Sequence, residues 1–113
     1  MTCQKCSKSI KEDMVIEKVF HPTQVEQGKE FTITVRAKSL ASYWNYDARV
    51  CMYDGAELLA DSGNFEIRAE SSYDVEFTLT MPARNLNLKA SLLHRGTFFD
   101  ECEDYRDITI PVC

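Results

Sequence analysis

The chain predicts an all-β protein, an immunoglobulin-like β-sandwich of roughly seven to eight antiparallel strands. Three features say so. The first is unbroken alternation of apolar and polar residues. Tyr73, Val75, Phe77, Leu79 and Met81 take one face, and Asp74, Glu76, Thr78 and Thr80 take the other. That is the period of a strand with one buried and one wet face. The second is the recurrence of such runs, rich in β-branched and aromatic residues, at turn spacings of roughly 8–12 residues. The third is the lack of helical periodicity of useful length anywhere in the sequence.

Taken in order, residues 1–12 are polar and lysine-rich and read as an arm ahead of a domain over residues 13–113. Met14–Phe20 is the first strand, ended by His21-Pro22, and Gln27-Gly28-Lys29 is a turn in which Gly28 allows a positive φ. Glu30–Ser39 turns Phe31, Ile33, Val35 and Ala37 inward. A loop, Leu40–Tyr46, carries Tyr43, Trp44 and Tyr46. Asp47–Tyr53 follows, closed by the tight-turn pair Asp54-Gly55, and Leu58-Leu59-Ala60 makes a short edge strand before Ser62-Gly63. Phe65–Ala69 precedes Tyr73–Met81, which stops at Pro82 because proline cannot donate to a ladder. Leu88, Ala90 and Leu92 resume the alternation after Asn85 and Asn87. Residues 96–104 read as a loop, and Tyr105–Val112 closes the fold with Ile108, Ile110 and Val112 inward.

At 113 residues this is one domain, long enough to bury about two thirds of its unfolded surface. A composition of 44% hydrophobic and 27% charged residues excludes global disorder. The net charge of −5 argues against nucleic acid as a partner, since phosphate contacts need a basic surface. No run of about 18 apolar residues is present to span a membrane. The first residues lack the apolar core of a signal peptide, so the expected location is cytoplasmic or within a larger particle.

Four motifs carry a family resemblance. They are Pro-x-x-Val-x-x-Gly-x-x-Phe-x-Ile-x-Val from Pro22 to Val35, Tyr-Asp-Gly-x-x-Leu-Leu from Tyr53 to Leu59, Val-x-Phe-x-Leu-x-Met-Pro from Val75 to Pro82, and Leu-x-Leu-x-Ala from Leu86 to Ala90. Together they resemble the bacterial and archaeal cell-adhesion-related immunoglobulin-like (CARDB-type) modules, over residues 14–112. The resemblance implies a non-catalytic module that spaces or sticks, and it brings no active-site residues.

Immunoglobulin-like topology collects the arm, the Tyr43-Trp44-Tyr46 loop and the Phe98–Asp104 loop at one pole, where such domains bind partners. Tyr43, Trp44, Tyr46, Phe98 and Phe99 are therefore the candidate partner-binding residues, toward another protein or a second copy. The bland alternative is that Trp44 folds over the core as a lid. Asp100, Glu101, Glu103 and Asp104 match no EF-hand spacing and read as a solvated acidic loop.

The five cysteines are Cys3, Cys6, Cys51, Cys102 and Cys113, an odd number for a disulfide framework. A disulfide from Cys3 or Cys6 to Cys102, unpaired thiols, and a zinc site of Cys3, Cys6, His94 and Cys102 all remain open. Cys51 reads as a small core residue or an outer-face thiol, and Cys113 falls at the opposite pole. A thioredoxin-like redox pair is disfavoured outside a βαβ setting. With two histidines, four glycines and no Gly-x-Ser-x-Gly or phosphate-binding loop, the chain is not expected to be an enzyme. No cofactor is expected beyond that zinc. The rival reading is a metal- or disulfide-linked domain using Cys3, Cys6 and Cys102.

Overall fold

A computed structural model describes residues 2–95 and 100–113. Its strands are β1 (Met14–Phe20), β2 (Glu30–Ser39), β3 (Tyr46–Asp54), β4 (Glu57–Asp61), β5 (Phe65–Ile67), β6 (Ser72–Thr80), β7 (Leu86–Arg95) and β8 (Asp100–Ile110). They form two antiparallel sheets. One has the order β1-β2-β6; the other has the order β4-β3-β7-β8, with β5 beside β4 on the same edge of β3.

The alternating runs do what their period demands. Ile33, Val35, Ala37, Val75 and Phe77 of one sheet face Val50, Met52, Leu88, Ala90, Leu92, Ile108 and Ile110 of the other in a single core. Each of the larger side chains among them, Val, Leu, Ile, Phe or Met, stabilises by roughly 1.5–3 kcal/mol when fully buried. Tyr73 shares the parity of Val75 but lies toward the end of the core. It is 43% exposed, and its ring stacks on Phe65 with centroids 4.4 Å apart.

Three expectations are corrected. Phe65–Ala69 contracts to the three residues of β5. Val112 leaves the last strand to form a parallel bridge with Val25, whose N–H donates to Pro111 O at 3.1 Å. Most consequential, residues 100–104 are strand and not loop, so β8 starts five residues before the expected Tyr105. The period-2 reading fails there because of a bulge. Leu92 pairs with Asp104 and Leu93 with Cys102, which leaves Glu103 as the extra residue. A bulge breaks strict alternation, and here Glu103 and Asp104 are both buried, 0% and 2% exposed. They are not a solvated acidic loop.

The arm is packed against the domain. It crosses the outer face of the five-stranded sheet, fixed by disulfides from Cys3 to Cys51 on β3 and from Cys6 to Cys102 on β8. Between them the Cys6 N–H donates to Ser91 Oγ at 3.1 Å, and Lys89 Nζ donates to the Cys6 carbonyl at 3.1 Å. Farther along, the Lys11 N–H donates to the Glu103 carbonyl at 2.8 Å. Cys6, Cys51, Tyr53 and Leu93 thereby form a second small core, separate from the first, with Cys3, Cys102 and Tyr105 packed against it.

Candidate functional site

The end of the sandwich where β1 begins, β3 begins and β7 ends gathers the chain's polar chemistry. Asp13 stands immediately before β1, Tyr46 opens β3, and His94 is the penultimate residue of β7. His94 keeps the inward parity of Ala90 and Leu92, so its ring rises from the top of the core and is only 6% exposed. The Tyr46 ring meets it edge-on, with centroids 5.2 Å apart.

Carboxylates close around that imidazole. His94 Nδ1 lies 3.1 Å from Glu103 Oε1 and 3.7 Å from Glu101 Oε2, and Nε2 lies 3.7 Å from Asp13 Oδ2. The Glu103 contact has hydrogen-bond length but does not meet hydrogen-bond geometry, so among the described residues Nδ1 has a charged neighbour and no aligned hydrogen-bond partner. Glu103 Oε2 is likewise buried without one among the described residues. The Glu103 carboxylate raises the His94 pKa above the ordinary imidazole value; burial opposes this, and the charges of Glu103, Asp13 and Glu101 add to the rise. The ring is covered but near the surface, so its desolvation is partial.

The other oxygens are anchored. The Asp13 N–H donates to Glu103 Oε1 at 3.2 Å, and Asp104 Oδ2 accepts from the Ile16 N–H at 2.8 Å. Tyr46 OH donates to Asp13 Oδ1 at 2.8 Å and accepts from the Trp44 indole N–H at 2.6 Å. Burial, then the bond to Asp13, pushes the Tyr46 phenol up from its ordinary pKa.

The expected site residues therefore divide. Tyr43 and Trp44 are 89% and 61% exposed, so Trp44 is not a lid. Tyr46 turns in beside the core. Phe98 and Phe99 lie outside the described residues. Cys6 and Cys102 are bonded to each other, but Cys3 is bonded to Cys51, and Cys113 is a free exposed thiol. The zinc set of Cys3, Cys6, His94 and Cys102 is not assembled. Its sulfurs are in disulfides on the outer face of the sheet, whereas His94 points inward. Asp13 and Glu103, His94's neighbours in space, were missed. The legible signal was a histidine on the apolar face of a strand whose partner strand is acidic.

No protein-family model matches the chain, and no curated protein matches it. Solved structures do. A CARDB domain from Pyrococcus furiosus, solved in complex with di-metal ions, superposes with a TM-score of 0.63 at 13% identity, over 88% of this chain and 91% of that one. The C-terminal domain of wzt gives 0.67 at 10% identity, over 97% and 77%. A Niemann-Pick type C2 protein from the Japanese carpenter ant gives 0.54 at 10%, over the full length of both. The chain has the fold of a CARDB-type sandwich. At these identities the likeness is one of fold.

Proposed function

We propose that this chain is a non-catalytic, disulfide-stapled immunoglobulin-like module that binds a protein partner through the pole bearing Tyr43 and Trp44. One observation carries the reading. Tyr43 and Trp44 present 89% and 61% of their surface to solvent, yet the Trp44 indole is tied through Tyr46 to Asp13. An aromatic surface that is already ordered loses little conformational entropy on docking, which is why Trp and Tyr dominate binding hot spots. Leu40, 46% exposed, extends the patch along the same loop.

Two disulfides in a chain of this size suit oxidising surroundings, as for a component of a surface layer or particle. Of the alternative built on Cys3, Cys6 and Cys102, the disulfide-linked half agrees with those bonds, and the zinc half loses its sulfur ligands to them. The test is affinity capture from the native host with the wild-type chain, with Tyr43→Ala/Trp44→Ala, and with Phe20→Ala, an exposed aromatic on β1. A specific protein, or a second copy, should be lost about tenfold or more only in the double variant. Equal capture by all three overturns the reading.

A further inference from the structure

We infer that Asp13, His94 and Glu103 form a binding site for one divalent transition-metal ion, with zinc as the representative occupant. One donor atom from each residue lies within 4.8 Å of the other two. A tetrahedral site with bonds of about 2.0 Å holds its donors about 3.3 Å apart, and the 3.1 Å between His94 Nδ1 and Glu103 Oε1 is already at that spacing. The second observation is independent of this clustering. Among the described residues, Glu103 Oε2 is buried with no hydrogen-bond partner, and the buried His94 Nδ1 has a charged 3.1 Å contact with Glu103 Oε1 that does not meet hydrogen-bond geometry, although buried polar atoms are nearly always satisfied. A cation between them would satisfy both.

The donor set selects the ion. Two carboxylates balance a divalent charge, and an imidazole nitrogen disfavours calcium and magnesium, which prefer oxygen alone. The supporting bonds are those of a built site. Tyr46 OH holds Asp13 Oδ1, and the Asp13 N–H holds Glu103 Oε1, as second partners orient metal ligands elsewhere. Asp13 is 30% exposed, which opens a path for the ion, and Glu101 Oε2, 3.7 Å from Nδ1, can serve as a further donor. A bound ion would pin the end of the arm to β7 and β8 directly beneath Trp44.

The oxidised full chain, stripped of metal, is titrated with Zn²⁺ by calorimetry. One ion per chain is expected, weakened about a hundredfold or more in Glu103→Gln and His94→Asn, and about ten- to a hundredfold in Tyr46→Phe. Because a variant can misfold, ¹⁵N-histidine spectra of the wild type give a second reading. Zn²⁺ should move the His94 ring resonances and leave those of His21 in place. The proposal is overturned by absence of stoichiometric binding, which would leave His94 and Glu103 as a plain charge pair. It is equally overturned if binding survives in Glu103→Gln, if it is abolished by His21→Ala or Cys113→Ser, or if the shifted resonances belong to His21.

Discussion

Asp61 shows how a single carboxylate couples this fold to pH. It accepts from Arg49 Nε at 2.7 Å and Nη2 at 2.5 Å, and from the Gly63 N–H at 2.8 Å. The Arg49 bonds, more than the Gly63 bond, hold its pKa below the ordinary carboxylate range, against the opposing effect of burial. A pKa lowered in the folded state adds stability above the unfolded value, and that stability is lost as the pH falls through the folded one. Asp61→Asn should therefore lower the urea midpoint at pH 6, by an amount equivalent to about 0.5–1 kcal/mol for a partly exposed bidentate pair. The gap between variant and wild type should shrink on descending below pH ~4. A gap that stays constant to pH 2 would show that the carboxylate charge contributes nothing. His94 and Glu103 teach a different lesson at the same level. A histidine in a β-strand and a glutamate in an acidic run have no visible relation until the bulge in β8 points them at each other.

Among the elements, the arm departs most from its sequence. Residues 1–12 have too little apolar content to pack alone, and only the links to Cys51 and Cys102 make them part of the structure. The Cys6–Cys102 bond spans 96 residues, for which chain entropy gives about 4–5 kcal/mol. That is comparable to the whole stability of a small domain, about 5–15 kcal/mol. Reduction, or the pair Cys6→Ser/Cys102→Ser, should lower the melting temperature by roughly ten degrees or more, checked by calorimetry with and without reductant. The arm runs over the outer sheet face and leaves Trp44 61% exposed. Trp44 stays exposed with the arm in place, so its fluorescence should change at the melting transition and not on release of the arm.

Across the whole molecule, stability rests on two sheets that each bury one face. Ile33 on the central strand of the smaller sheet is 0% exposed within that core. Ile33→Ala should lose about 2–5 kcal/mol by chemical denaturation, since a cavity adds to the lost burial; a loss under 1 kcal/mol would mean the two sheets close over the gap. The open edge at β6 is blunted by Asp74 and Glu76, as exposed strand edges commonly are. Just past the end of β8, the outermost strand of the larger sheet, the Pro111 carbonyl accepts from the Val25 N–H.

The architecture was legible because its cause is local. Alternation in Glu30–Ser39 and Tyr73–Met81 states which face is buried, and Pro82, Asp54-Gly55 and Ser62-Gly63 state where strands stop. From those facts a sandwich follows with little freedom. Which cysteine meets which, and which carboxylates meet His94, depended on residues far apart in the chain. Cys3 reaches Cys51 across 48 positions, and Asp13 meets Glu103 only after β1 and β8 have been brought side by side. Periodicity carries no information about such pairs. Their partners are set by the path of the arm and by one extra residue in β8, and both are outcomes of packing.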